Sequence, residues 1–583
     1  MAQGGFPRQN HITFVKSTLN CYEMFKRVIF VIMLLAGLFQ LRAQDSADPF
    51  SGSPEVYFTF HAVDRQELEH LTRMVSIDHV SDDLQVFAYA NSKEFDEFLS
   101  LGMAYRILPH PGTLIEPEML DEVNVRGITD WNFYPTFDAY TDMMYQFAED
   151  HPDLCEVFSI GNSYQGRPLL VARISDNVGV AEGEPEFFYT STMHGDETTG
   201  YVLMLRLINY LLTEYDNDPK VTMLVNELDI YINPLANPDG TYKAGNSNIY
   251  GAIRYNAHNV DINRNFPDPE DGPHPDGNEW QIETIHFMDF AETRNFVMSA
   301  NIHGGAEVCN YPWDTWAILA ADDNWWIHVC REYADTAHYY SPPGYMTGFN
   351  NGITNGYQWY TISGGRQDYM NYFQQCREFT LEISNTKLLP ASQLPAFWDY
   401  NYRSFLNYME QALYGVRGRI TDKSTGQPLE AEVYVLNHEA DSSWIYSSLP
   451  EGNYHRLLAA GTYNIRYSKP GYLPQVFENV VVNNRQPTII DVELVDAFSS
   501  VDEMDERMVK IYPNPVTAAF MKVTSGYPAD SYTIWNMSGE ILMHEETKGE
   551  EILFVDVSAL PAGTYIISLL HDGRQMKGRF VRR

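Results

Sequence analysis

The sequence predicts an α/β protein, with one sheet covered by helices on both faces over residues 130–412 and two all-β units after it. Three observations predict this. Short, β-rich apolar runs ("LLVARIS", "FFYTST", "ELDIYINP", "NFVMSANI", "EFTLEIS") alternate with helical stretches across 130–412, the pattern of strands covered by helices. The stretch "GYVLMLRLINYLLTEY" puts Val202, Leu205, Ile208 and Leu212 on one helical face, as a helix docked on a sheet requires. From Gly415 onward the texture changes to short alternating strands divided by Gly and Pro turns, which is the pattern of a β-sandwich.

The segments follow in chain order. Residues 1–44 read as a leader: Lys26 and Arg27 precede the apolar run "VIFVIMLLAGLF", and "QLRAQ" closes it. Residues 1–23 do not resemble the start of a signal peptide, so the expected true start is Met24. The apolar run is too short for a membrane span, and no other segment resembles one. Residues 51–126 read as a small α/β domain plus linker, with strands "EVYFTFHA", "LQVFAYA" and "MAYRILP" and helices "DRQELEHLTRMVS" and "NSKEFDEFLSLG". Its place between leader and main domain predicts a propeptide; Arg126 is either its cut site or an ordinary linker arginine. The main domain, 130–412, is followed by a sandwich over 413–495 and by further strands over 508–583, among them "SYTIWNM" and "GTYIISLLHDG".

Composition excludes several classes. A chain of 583 residues implies two to four domains. Hydrophobic residues at 44% and aromatics at 14% mean that it folds. A net charge of −39 argues against nucleic acid as a partner and is compatible with basic substrates, though charge alone better supports an acidic surface that keeps an exported protein soluble. Cys21 lies in the leader. Cys155, Cys309, Cys330 and Cys376 remain, an even number on an oxidising route, which allows three pairings between which the sequence does not choose.

The chemistry gathers at predicted strand ends. "TSTMHGDETTG" carries His194 and Glu197 as H-x-x-E, a pattern that a chain with 17 His meets by chance. "NIHGGAEVCNYPWD" supplies a third candidate, His303, again just after a strand. Two His and one Glu form a catalytic zinc set whose fourth position is left to water. A hydrolytic site also needs a base. In "EFTLEIS", Phe379, Leu381 and Ile383 alternate on the apolar face, so Glu382 points to the other side of a covered strand.

Taken together, "HGDE", "NPDG", "RYNAHNVDINRNFPD", "NIHGGAEVCNYPWD", "GITNGYQWYTISGGRQDYMNY" and "REFTLEIS" resemble a zinc metallocarboxypeptidase of the funnelin type, in the regulatory subfamily of carboxypeptidases D, E, M and N, over about residues 134–413. The resemblance implies a mixed sheet with helices on both faces. It implies one zinc per chain held by His194, Glu197 and His303, and Glu382 as general base and acid. By the same resemblance Arg254 polarises the scissile carbonyl, Asn263 and Arg264 clamp the substrate's terminal carboxylate, and Tyr360 closes over it. Relatives specific for basic residues carry an Asp and a Gln where this chain has Asp314 and Gln367, which implies release of C-terminal Lys or Arg. Arg366 complicates that reading if it points at Asp314.

Outside the main domain, Gly415 to about Val495 resembles a transthyretin-like sandwich, with "D-x-x-T-G-x-P-L" over Asp422 to Leu429. The C-terminus, with "IYPNP", "NMSGE", "LPAGTYIISL" and "GRFVRR", resembles a type IX secretion sorting domain. The implied partners are peptides and proteins with free C-termini and the type IX machinery. The implied location is outside the cell or on its surface, reached through periplasm and outer membrane. In the loop "FPDPEDGPHPDGNEW", Asp268, Glu270, Asp271, Asp276 and Glu279 are oxygen donors of the kind Ca²⁺ takes; a solvated loop is the preferred reading. Two rivals are an amidohydrolase of the same fold, acting on acyl amino acids or cell-wall peptides, and a catalytically inactive binding protein. The carboxylate clamp argues against the first and the complete ligand and base set against the second.

Overall fold

A computed structural model describes residues 48–81, 83–122, 125–497, 509–571 and 574–583. The leader expectations, Met24 and Cys21 among them, lie outside the described residues. The N-terminal domain is built from β1 (Glu55–His61), α1 (Arg65–Leu71), β2 (Ser76–Val80), β3 (Gln85–Asn91), α2 (Ser92–Ser100) and β4 (Tyr105–Ile107), its antiparallel strands ordered β2-β3-β1-β4. Alternation in β1 buries Val56, Phe58 and Phe60. Phe95 and Phe98 of α2 pack edge-on against Phe58, and Asn91 with Glu94 closes a capping box at the start of α2. One expectation fails here. The helix read over "DRQELEHLTRMVS" stops at Leu71, and Ser76–Val80 forms an edge strand instead. Val75, Ser76, Ile77 and Asp78 are buried in succession, a run without the alternation that marks a strand and one that the helical pattern before it obscures.

The central domain holds eight strands: β5 (Cys155–Asn162), β6 (Pro168–Ile174), β7 (Glu186–Ser191), β8 (Asp229–Asn233), β9 (Phe296–His303), β10 (Glu307–Tyr311), β11 (Ile353–Asn355) and β12 (Arg377–Ile383). They run in the order β11-β10-β12-β9-β7-β8-β6-β5. The middle pairs β12–β9, β9–β7 and β7–β8 are parallel, whereas β10–β12, β8–β6 and β6–β5 are antiparallel, so the sheet is mixed. Its helices are α3 (Phe137–Asp150), α4 (Thr199–Thr213), α5 (Pro219–Glu227), α6 (Ile282–Glu292), α7 (Asp323–Tyr340), α8 (Arg366–Phe373) and α9 (Leu394–Glu410). Strand alternation divides the interior in two. Phe187, Tyr189, Ala300 and Ile302 join α3, α4, α7 and α9 in one core, while Phe188 joins α6 and α8 in the other. The predicted face of α4 is buried, and so are Leu203, Met204, Leu207 and Leu211, because α9 lies over the helix.

Residues 415–496 form two facing sheets. One is built from Gly415–Asp422, Asn453–Arg456, Tyr472–Leu473, Pro487–Ile489 and Val492–Asp496, and the other from Glu432–Val435, Ile445–Tyr446, Gly461–Ser468 and Gln475–Val482. A further β-unit pairs Phe520–Asn536 with Lys510–Tyr512, Ile541–Asp556 and Gly563–His571, and Gly563–His571 with Arg574–Arg582. Among the described residues no helix is long and apolar enough to cross a membrane. Cys155, Cys309, Cys330 and Cys376 are all buried and all free, so the expected pairing is not found.

Candidate active site

The site forms where the central parallel strands end. β7 stops at Ser191, and Thr192 takes φ +62, unusual for a β-branched residue, turning the chain toward His194. Gly195 follows; a Cβ there would lie 2.5 Å from Gly240, Thr241 and the Ile253 carbonyl, so the segment between the ligands tolerates only glycine. Glu197 comes just before α4. On the neighbouring strands His303 of β9 and Glu382 of β12 are direct register partners.

This brings three donors together. His194 Nδ1 lies 2.7 Å from Glu197 Oε1, His303 Nδ1 lies 2.7 Å from Glu197 Oε2, and the two Nδ1 atoms are 3.0 Å apart. All three residues are buried. Burial lowers the His303 pKa to about 4, so its ring is neutral and its nitrogen is available to a metal. An N₂O donor set of this kind fits zinc. Asp261 Oδ1 meets His194 Nε2 at 3.1 Å, an outer carboxylate that fixes the ring.

Glu382 is half-buried beside the ligands, and its Oε2 has no hydrogen-bond partner. Burial, with the nearby Glu197, pushes its carboxyl well above the usual range. Arg254 donates from Nε to Asp261 Oδ2 at 2.9 Å and lies 3.5 Å from Glu197 Oε1. Burial works against its charge, but Asp261 and Glu197 outweigh it. Asn263 and Arg264 sit on a 3₁₀ turn, Ile262–Arg264, capped by Asp261, so a capped turn and a place in the site coexist. Tyr360, buried, lines the same small cavity.

Asp314 is 2% exposed and accepts from Asn310 Nδ2 at 2.9 Å. Burial pushes it up to about 7, with Asn310 and Arg264 acting the other way. A Cβ on Gly356 would fall 1.8 Å from Asp314 Oδ1, so that glycine makes room for the carboxylate. Gln367 is no surface amide: it is 1% exposed, its Oε1 takes the Thr380 N–H at 2.7 Å, and its Nε2 has no partner. Arg366 turns away from Asp314 to pair with Glu378 at 2.6 Å.

Three of the acids of the 266–280 loop are held by protein donors. Asp268 accepts from Gly364 N and Thr315 Oγ1, Asp276 from Asn265 Nδ2, and Asp271 pairs with Arg73. Among the described residues the other converging ligand group is Asp176, Glu182 and Glu184, all carboxylates and not fully buried. Glu182 and Glu184 border a cavity of about 440 Å³ beside the sandwich; it has more room than the site, but no imidazole ligand set.

Strand β2 lies across the site. The Ile77 carbonyl accepts from Arg264 Nη2 at 3.3 Å and from the Tyr360 hydroxyl at 3.4 Å. Ser76 bonds Asp261 and Arg254, and Asp78 pairs with Lys387. The cavity left beside the ligands is about 20 Å³, room for a water and far below what a substrate side chain needs. Sequence reasoning missed Asp78, Asp261 and Lys387. Asp261 stood two residues before Asn263 in a quoted motif, and Lys387 five after Glu382, but each has meaning only through a distant partner.

Comparison with known proteins gives three spans. Residues 140–404 match the zinc carboxypeptidase family, 415–495 a carboxypeptidase regulatory-like domain, and 510–583 a secretion system C-terminal sorting domain. Human carboxypeptidase D is 38% identical over 387 residues, covering 62% of this chain and 26% of its own length, so this chain spans about a quarter of that relative. Mouse carboxypeptidase M is 35% identical, covering 58% of this chain and 79% of the relative. The catalytic chain of human carboxypeptidase N is 34% identical, with 63% and 86% covered.

Proposed function

This chain belongs to the zinc carboxypeptidase family, and on that premise we propose that it is an exported zinc metallocarboxypeptidase that removes single C-terminal Lys or Arg residues from peptides and proteins. The observation that carries the reading is the convergence of His194, Glu197 and His303 beside the unpartnered Glu382 oxygen. Those three residues would hold one zinc ion. When bound, zinc supplies a Lewis acid that acidifies a water and polarises a carbonyl. Glu382 takes the attacking water's proton at its free oxygen and passes it to the leaving amine. Arg254 donates to the oxygen on which charge develops. Arg264 and Asn263 bind the terminal carboxylate, a planar group matched to the guanidinium fork, and Tyr360 closes over it.

Asp314 supports the basic preference, since it is buried and has no ion-pair partner among the described residues. Gln367 supports it with a buried side-chain amide that faces the Asp314 carboxylate. The N-terminal domain acts as an inhibitory cover, a reading supported by β2 lying on the clamp. The sorting-domain match supports export by type IX machinery through periplasm and outer membrane, to the surface or beyond.

The test uses full-length protein nicked at a protease site placed in the 108–128 linker, with peptides that differ only in the last residue, read by mass spectrometry. Loss of one terminal Arg or Lys is expected, with amidated peptides left intact. Asp314→Ala should lose the preference and keep its zinc. Equal or faster release of C-terminal Phe by the unmodified enzyme overturns the specificity, and attack on amidated peptides favours an amidohydrolase.

A further inference from the structure

We propose that Lys387 forms a subsite for an acidic side chain, so that the enzyme prefers peptides with Asp or Glu immediately before the released residue. The inference rests on the peptidase reading above. A lysine ammonium has three donors. One goes to Glu197 Oε1 at 2.6 Å and one to the Gly304 carbonyl at 2.5 Å, both within the catalytic domain. The third partner is Asp78, which belongs to the N-terminal domain. Both side chains are buried, at 6% and 5% exposure. The Tyr57 hydroxyl donates to Asp78 Oδ2 at 3.1 Å, so Asp78 is presented to the site from its own domain.

A lysine whose only task was to neutralise Glu197 would need no partner from outside. Lys387 has one, and when the cover leaves, a desolvated cation keeps two acceptors and faces the cleft with a third donor free. A buried charge left without its partner is costly, and a carboxylate from the substrate restores the pair.

The geometry also assigns the position. In β2 the Ile77 carbonyl occupies Arg264 of the clamp, and the next residue, Asp78, reaches Lys387. Gly304 follows the ligand His303 and Glu197 is itself a ligand, so Lys387 stands against the ligand cluster. A substrate whose terminal carboxylate fills the clamp crosses the same ligands, and its preceding residue arrives on the Lys387 side. Along β2 the step from Ile77 to Asp78 leads away from the clamp, as the step from the last residue to the one before it does in a substrate. The strand thus marks the site of the penultimate side chain with a carboxylate.

The test takes the nicked full-length protein and matched peptides ending Glu-Arg, Gln-Arg and Lys-Arg. The Glu peptide is expected to exceed the Gln peptide in kcat/KM by about tenfold or more, with the gain in KM and shrinking at high salt, and the Lys peptide to fall below both. The quantity read is the Glu-to-Gln ratio, which is independent of any change in shared rate or zinc content. Lys387→Met should bring it to one, Lys387→Arg should keep it, and Lys387→Glu should turn the preference toward Lys. Calorimetry on zinc-free nicked protein reads the same ratio as affinity, without turnover. A ratio of one in the unmodified enzyme overturns the subsite and needs no variant to establish it; so does a ratio that survives in Lys387→Met. If no peptide of any kind is cleaved, the peptidase reading fails first.

Discussion

Two neighbours pack on the catalytic domain in opposite ways. The sandwich is fused to it. Leu457 lies within the main apolar core, and Ala459 packs against that core. Above this contact Asp322 gathers Arg377 at 2.8 Å, Arg456 at 2.9 Å and His438 at 2.8 Å, with Arg456 fully buried. The N-terminal domain contributes only linker residues, Val125, Met119 and Leu120, to these catalytic cores among the described residues; its strands and helices, residues 55–107, contribute none. It rests on polar groups: Glu55 accepts from the Arg254 and Tyr255 amides, Tyr89 donates to Asp196, and Glu94 accepts from Tyr255. Interlocked apolar side chains leave water nothing to replace, whereas hydrogen bonds and charges can be exchanged for water or for a substrate. The contrast supports the proposed reading, in which one neighbour is built to stay and the other, lying on the candidate site, to leave.

The strongest way to break this contrast is to free the cleft. Nicking the 108–128 linker should raise peptidase activity by orders of magnitude, and Glu382→Gln in the nicked protein should abolish that gain while zinc is retained, since a general base contributes about 10²–10⁴-fold. Equal activity before and after nicking would show that β2 is no obstacle. The second effect is on stability. Asp322→Asn removes the carboxylate paired with buried Arg377 and leaves Arg456 with Glu439 alone, and should cost about 3–5 kcal/mol, seen as a lower urea midpoint with no unmasking of activity. Arg456 and Arg377 hold the Asp322 carboxyl well below its usual range, so the stability it contributes is present at neutral pH and lost as pH falls below about 4. A midpoint unchanged by the substitution would mean that the sandwich is held by its apolar contact alone.

The smallest expected effect sharpens the other side. Glu94 faces Tyr255, Asp261 and Glu55, and burial pushes it up to about 7. The docked state therefore binds that proton more tightly than the free domain does. Docking is strongest below the ordinary carboxyl value and weakens as pH rises toward 7. The released N-terminal piece should inhibit nicked enzyme several-fold better at about pH 5.5 than at about pH 8, and Glu94→Gln should flatten the profile. A cover that binds more tightly at the higher pH would contradict this account.

Much of this was legible in the sequence because it is local. Strand alternation and the H-x-x-E at a strand end need only neighbouring residues, so the sheet and the candidate ligands could be read directly. What escaped acts across long separations. Lys387 meets Glu197 at 190 residues' distance and Asp261 meets His194 at 67, and neither has a sequence pattern of its own. Strand β2 escaped because a good helix runs straight into it, and five residues are too few to assert a second period. The cysteines misled for another reason: an even count on an exported chain suggests pairing, but here each thiol fills an apolar interior as a small hydrophobe would.

Strand β2 also bears on how the cover survives its position. It is an internal stretch, with chain continuing through Met74 on one side and Gln85 on the other, and it lies in the cleft without presenting an end. An enzyme that nibbles only from a terminus has nothing there to bite. On the proposed reading of the N-terminal domain as an inhibitory cover, storage is a matter of topology, and shutdown lasts until some other protease with an internal cut opens the linker. The trigger on that reading lies with the second enzyme and not with any slow leak of this one.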